Sequence, residues 1–441
     1  MNRRIRRLPL GVTLLALLTV LGCGSGPPRV VILIVIDTMR ADRLGSYGHE
    51  RDTSPQIDRL AKDAVRFEEA LAQAPWTTPS IGSLLTSRYP SSLGIDRFAS
   101  RLPDDATLLS ESLQGAGYAT GAVVSHTFCS SRWGFDRGFD QFDESSIAGQ
   151  RGVTSEKVTD RALEFVAGHA DAPFFLLVHY FDPHFALVEH DGFRFSDEAG
   201  GEPYAGNVRS PVPFLNFGRV GAELGPADAR EMLRIYDSEV AFTDHHVGRL
   251  LDDLRRRGLY DDALVVLTAD HGEEFLDHGR IGHTKTLYRE LLRVPLLLKL
   301  PGNAARVEPR AVGLIDVAPT IVEIVGLDPS PAHRGQSLLD PADPARPVFA
   351  ETSRQASLRA VVSGDWKLIS DPGRHNVKLF RRSSDPEERV DLGRQRRQER
   401  NQLVSLLQTF AVLAERREPM APPVELSDDD RRRLESLGYG E

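Results

Sequence analysis

The run Val30-Val31-Ile32-Leu33-Ile34-Val35-Ile36 constrains this chain more than any other feature. It is apolar without interruption and rich in β-branched residues, so it has no wet face to set against a dry one. Such a run reads as a strand covered on both sides, the condition of a parallel sheet between helical layers. Three more runs share this character, from Ala119 to Val124, from Phe174 to Val178 and from Leu264 to Thr268. Helical spacing fills the intervals: Ser54 and Pro55 open one pattern through Ile57, Leu60, Ala61 and Val65. Leu108 to Gly115 makes a second, and Tyr236, Val240, Val247, Leu250, Leu251 and Leu254, closed by Gly258, a third. The alternation predicts an α/β fold: a mostly parallel central sheet with helices on both faces.

Each of the four strands stops at chemistry. The first ends at Asp37, the second at Ser125-His126, the third at His179 with Asp182 and His184 beyond, and the fourth leads to Asp270-His271-Gly272. In open α/β sheets ligands bind outside the carboxyl ends of the strands. Any one of these residues reads equally well as a helix cap or a loop residue; four converging on one edge point to a site. Asp37-Thr38-Met39-Arg40-Ala41-Asp42 carries no glycine fingerprint, which excludes a dinucleotide site after the first strand. Lys plus Arg is 54 against 63 Asp plus Glu, a net charge of −9 with no basic block, so nucleic acid is not an expected partner. The two cysteines, Cys23 and Cys129, cannot build a disulfide scaffold or a cysteine-rich zinc site.

A hydroxyl joins this set. Trp76-Thr77-Thr78-Pro79-Ser80-Ile81-Gly82 reads as a loop entering a helix, with Thr78 at the N-cap, Pro79 at the first helical position and Thr77 just ahead of them. Unsatisfied N–H groups and the positive end of the helix dipole favour an anion there, such as sulfate or phosphate. A threonine hydroxyl is a weak nucleophile unless a base or metal lowers its pKa. Asp37 and Asp270 offer hard oxygens, His271 a nitrogen and Thr77 its hydroxyl, enough to hold one divalent ion.

The segments Ile36 to Asp42, Ser54 to Ala61, Thr77 to Ser80, Thr86 to Pro90, Gly134 to Asp140, His179 to His184, Ala269 to Glu273 and Asp316 to Thr320, in this order and spacing, resemble the sulfatase family of the alkaline phosphatase superfamily. The resemblance implies an α/β core with a metal-dependent anion site and a smaller C-terminal subdomain. It implies Asp37, Asp270 and His271 as metal ligands, Thr77 as nucleophile and His184 against the transferred group. It places His283 or Lys285 on the anion, with His126 and His179 on the substrate side. Calcium is the metal the resemblance implies first; zinc, manganese and magnesium also suit the donors.

Three departures shape the expected activity. Sulfatases convert Cys or Ser at the nucleophile position to formylglycine. Thr77 carries a methyl at Cβ and cannot yield that aldehyde, so no formylglycine is expected. The second aspartate after the first strand is Thr38, and the arginine closing the nucleophile motif is Ile81, which removes a bidentate oxyanion partner. A direct threonine nucleophile resembles the phosphodiesterase and phosphoethanolamine-transferase branches. The expected function is therefore hydrolysis of sulfate or phosphate (di)esters through Thr77. The alternatives are transfer to an acceptor alcohol and a catalytically weak binding lipoprotein.

The chain ends complete the plan. Arg3, Arg4, Arg6 and Arg7 precede an apolar run from Leu8 to Leu21, too short to span a bilayer comfortably. It closes on Val20-Leu21-Gly22-Cys23, which resembles a lipoprotein lipobox. Residues 1–22 are thus expected to be a signal peptide and Cys23 the lipidation site, anchoring an exported bacterial lipoprotein to the membrane surface of the cell envelope. Residues 23–29 are the tether, 30–330 the catalytic domain, 331–425 an α+β subdomain and 426–441 a short helical tail. Within the subdomain, Leu358 to Val362, Trp366 to Ile369 and Val377 to Phe380 read as an antiparallel sheet, Arg394 to Arg416 as a helix and Lys367 as a packing residue.

Overall fold

A computed structural model describes residues 26–147, 154–196, 206, 208–210, 224–302, 305–341, 343–354, 357–414, 421–428 and 430–432. The leader, Cys23 and most of the loop from His190 to Pro213 lie outside these residues. Among the described residues no helix is long and apolar enough to cross a membrane.

The strands run in chain order as β1 (Val30–Ile36), β2 (Val65–Leu71), β3 (Ala119–Val123), β4 (Gln141–Asp143), β5 (Phe174–Tyr180) and β6 (Leu264–Ala269). A short hairpin, β7 (Glu274–Phe275) and β8 (Ile281–Gly282), precedes β9 (Arg293–Val294), β10 (Leu296–Lys299) and β11 (Arg306–Gly313). Nine of these form one sheet in the order β11-β2-β10-β6-β1-β5-β3-β4, with β9 added to β2. Pairing is mostly parallel; β10 runs antiparallel between β2 and β6, which makes the sheet mixed. The helices form two packed groups. Pro55–Ala61 and Ser155–His169 lie against the long helix Pro226–Arg256, while Thr77–Thr86, Leu109–Gly115 and Val317–Ile324 pack on one another.

All seven residues of β1 are buried, as are all of β5 and β6, so the uninterrupted apolar runs occupy the doubly covered centre. Register then builds the site. Ile36 pairs with Ala269 on one side, which puts Asp37 level with Asp270. Val35 pairs with His179 on the other, and strand side chains repeat every two residues, so His179 and Asp37 project on the same side.

Several sequence boundaries move. The first helix ends at Ala61 and Val65 opens β2, whose half-buried alternation is the period of a strand with one open face. The third run continues through His179 to Tyr180. The edge strand β11 accommodates Pro309 at a register shift between Glu308 and Ala311, where the missing N–H costs no ladder bond.

The C-terminal sheet has four antiparallel strands, β12 (Val348–Thr352), β13 (Leu358–Ser363), β14 (Trp366–Asp371) and β15 (Asn376–Arg381), one more than the sequence suggests. Its alternation divides labour. Ala360 and Val362 join the main core, whereas Val361, Leu368 and Leu379 form a second core with Leu403 and Leu407 of the helix Arg397–Leu413. Lys367 is buried and its Nζ donates to both carboxylate oxygens of buried Glu388, at 2.7 and 2.9 Å. Removing one partner of a buried pair strands the other charge, so Lys367→Met is expected to lower stability by about 3–5 kcal/mol. A urea midpoint unchanged from the parent would refute that role.

Candidate active site

At the carboxyl edge of β1, β5 and β6, oxygens and nitrogens gather without enough partners. Asp37, His179 and Asp270 are each buried and offer ligand atoms within 4.8 Å of one another. Neither oxygen of Asp37 has a hydrogen-bond partner, nor does either ring nitrogen of His179, nor Oδ2 of Asp270. Buried polar atoms are almost always satisfied, so this cluster marks where a cation fits. Burial, then Asp270 and Glu273, push the Asp37 carboxyl well above its ordinary range. Burial pulls the His179 imidazole down to about 4, leaving its ring neutral with a lone pair to offer.

Backbone groups aim the ligand atoms. Oδ1 of Asp270 accepts the N–H of His271 at 2.8 Å and of Thr38 at 3.2 Å, which leaves Oδ2 for the cluster. His271 Nδ1 lies 2.9 Å from the Gly272 carbonyl, so it carries the proton and Nε2 is the acceptor. That Nε2 sits 3.4 Å from Asp270 Oδ2, 3.7 Å from Asp37 Oδ1 and 3.5 Å from Thr77 Oγ1. Asp37, Thr77, Asp270 and His271, named from sequence, therefore do meet. His179, expected on the substrate side, stands with the two carboxylates, its Nε2 3.7 Å from Asp37 Oδ2.

Thr77 is the first residue of the helix Thr77–Thr86 itself, two positions earlier than its sequence suggests. Trp76 is extended and takes the cap, because the Thr78 hydroxyl donates to the Phe128 carbonyl at 3.0 Å instead. The Ser80 hydroxyl donates to the Asp270 carbonyl at 2.5 Å, which ties the helix start to β6. Trp76 is wedged edge-on against Phe98 and Phe128, at 5.3 and 5.8 Å between ring centroids.

Three further buried imidazoles join this edge. His126 Nδ1 accepts the Phe128 N–H at 2.9 Å, so the neutral ring carries its proton on Nε2, 4.0 Å from Asp37 Oδ2. His184 Nδ1 lies 2.6 Å from the Phe185 carbonyl. His283 stands between the rings of His271 and His184, 4.6 and 5.0 Å away, with Nδ1 2.9 Å from Glu273 Oε1. Burial keeps all three well below the usual histidine range, reinforced by their neighbouring imidazoles. It also drives Glu273 up to about 8. Lys285 is half-buried, and burial with nearby Arg280 and Arg354 depresses its pKa. The segment holding it is pinned by Thr284, at φ 81, whose N–H donates to the Pro75 carbonyl and whose own carbonyl accepts the Thr352 hydroxyl.

Two contributors are not evident from sequence. Glu273 comes one residue after Asp270-His271, past Gly272, a signal present but given no role. Tyr236, spaced as a core residue, donates its hydroxyl to the Thr38 carbonyl at 2.7 Å and accepts the Arg40 N–H at 2.9 Å. It thereby holds Thr38 at φ 54, a costly conformation for a β-branched residue. Gly272 has no room for a side chain, since a Cβ would collide with the Glu290 carbonyl, while its own N–H donates to the Leu291 carbonyl at 2.9 Å. Gly272→Ala is therefore expected to cost about 1–3 kcal/mol and to weaken metal binding by turning His271. Calorimetric metal titration beside a melting curve checks both.

The family model described as Sulfatase matches residues 29–327. Human N-sulphoglucosamine sulphohydrolase is 29% identical over 407 residues, covering 82% of this chain and 76% of that protein. A solved structure in complex with its substrate D-glucosamine-2-N,6-O-disulfate superposes with a TM-score of 0.76 at 19% identity, over 89% of this chain and 99% of that one. Phosphonate monoester hydrolase of Agrobacterium radiobacter gives 0.72 at 19% identity, over 88% and 96%. With the family model matched over residues 29–327, the chain belongs to the sulfatase family, enzymes that hydrolyse sulfuric or phosphoric esters.

Proposed function

We propose that this protein is a metal-dependent sulfate or phosphate ester hydrolase in which Thr77 Oγ1 is the nucleophile, in place of formylglycine. The observation that carries the reading is the Thr77 hydroxyl, 3.5 Å from His271 Nε2 at a helix N-terminus beside Asp37 and Asp270. Asp37, Asp270, His179 and His271 are the residues that would hold the metal. A bound divalent ion lowers the pKa of an adjacent hydroxyl and neutralises charge on the attacked ester.

With its proton lost to solvent, as a bound divalent ion would favour, Thr77 Oγ1 bonds to phosphorus or sulfur as the bond to the leaving oxygen breaks, giving a phospho- or sulfo-threonine that water later releases as the Thr77 alkoxide. The helix N–H groups and the His126 Nε2–H stabilise the equatorial oxygens, with Lys285 on the same anion. Glu273, neutral below about pH 8, donates its proton to His283 Nδ1 and so presents the Nε2–H to the leaving oxygen. His184 lies across from it to accept a proton from the water that then cleaves the threonine adduct.

Nitrophenyl sulfate, phosphate and phosphodiester assays with mass spectrometry of the Thr77 peptide test the proposal. A trapped adduct on Thr77 supports it; turnover with an adduct elsewhere refutes it. The human relative is named for a sulpho group, the substrate-bound structure for a disulfate and the Agrobacterium neighbour for a phosphonate monoester, so both sulfur and phosphorus esters belong in the panel. An acceptor alcohol added to the assay separates transfer from hydrolysis.

We also propose that Cys23 is acylated and holds the exported chain at a membrane surface, since it closes a lipobox-like segment. Metabolic labelling with an alkynyl fatty acid is expected to mark the wild type and to miss Cys23→Ala. Equal labelling of both would refute the anchor.

A further inference from the structure

We infer that the site selects a zinc-type ion over the calcium that the resemblance implies first. The inference rests on the proposed metal site and concerns which ion these particular side chains prefer. Calcium seeks six to eight oxygens, mainly carboxylates and carbonyls, whereas imidazole nitrogens suit zinc and its neighbours. Of the side chains converging here, two are carboxylates, Asp37 and Asp270, and two are imidazoles, His179 and His271. Thr38 stands directly after Asp37 and supplies only a hydroxyl, Oγ1, buried and without a hydrogen-bond partner.

The imidazoles are set up as ligands. The Gly272 carbonyl fixes the proton of His271 on Nδ1 and leaves Nε2 bare toward both acids. This is the arrangement by which outer partners orient metal-bound histidines. His179 is only 1% exposed with neither ring nitrogen bonded, an expense for a buried polar ring that coordination would remove. His126, by contrast, spends Nδ1 on the Phe128 N–H and keeps its proton on Nε2, so it donates and does not ligate. The spacings fit as well. His271 Nε2 is 3.4 Å from Asp270 Oδ2, the length of an edge, about 3.4 Å, of a tetrahedron of ligands about 2.1 Å from a zinc ion, while His179 and His271 each stand 3.7 Å from a different oxygen of Asp37.

The test strips the purified protein with a chelator and titrates it by calorimetry with zinc, cobalt(II), manganese, magnesium and calcium separately. One equivalent of zinc or cobalt is expected to bind at least about 100-fold more tightly than calcium. X-ray absorption of the zinc-loaded wild type should show two imidazoles, a readout that needs no variant and no substrate. His179→Asn is expected to weaken zinc by at least about 100-fold, since even outer partners are worth 10- to 100-fold, and to leave calcium nearly unchanged. Calcium binding as tight as zinc, or a zinc site without imidazole scattering, would overturn the inference. Zinc selectivity without cleavage of any ester would uphold it while removing the hydrolase reading; calcium selectivity with cleavage would do the reverse.

Discussion

Thr77→Ala is expected to lower ester cleavage by about 10⁴–10⁶-fold, the scale seen when a covalent nucleophile is removed. Thr77→Ser should retain activity within about tenfold, because the hydroxyl and the helix position persist and only the methyl is lost. Metal binding should survive in both, since Asp37, Asp270, His179 and His271 are untouched. This pattern separates a nucleophile from a residue that merely packs beside the metal. Rates toward all three esters unaffected by Thr77→Ala would rule out the covalent mechanism, whatever the metal.

The second large effect falls on Asp37. Both its oxygens are buried without partners and it faces the Asp270 carboxylate across His271. Asp37→Asn should therefore abolish metal binding and reduce turnover by at least about 10³-fold. In the chelated protein the same change should raise the melting temperature, because an amide replaces a carboxyl whose ionisation burial and the neighbouring acids oppose. Wild type should gain about 2.7 kcal/mol when the metal is 100-fold above its dissociation constant, and the variant nothing. A chelated variant that melts below the chelated wild type would show that Asp37 has a structural partner instead.

The sheet centre and the acids at its edge were legible because β1, β5 and β6 are buried on both faces and their sequences have no alternation to misread. Asp37, Thr77, Asp270 and His271 were legible because each closes or opens an element. His179 was harder. It lies inside β5, and its role depends on pairing with Val35, a register that no local pattern encodes. The helix Thr77–Thr86 starts earlier than capping statistics at Thr78 suggest, because the Thr78 hydroxyl is drawn to the Phe128 carbonyl, 50 residues away in sequence. The strands β2, β10 and β11 lie toward one edge of the sheet, and their short or alternating sequences do not single them out.

Glu388 does more than neutralise Lys367. One of its oxygens accepts the Arg289 N–H at 3.2 Å, and its carbonyl lies 3.1 Å from His278 Nε2, whose Nδ1 faces Glu290 at 2.8 Å. Residues 288–291 in turn receive Gly272, the neighbour of His271. The C-terminal sheet is thereby stitched to the floor of the reaction centre by a chain of single bonds. Anyone grafting that sheet from one relative to another must carry residues 278–292 and 385–390 together, as a matched pair, or leave the donor seam mismatched.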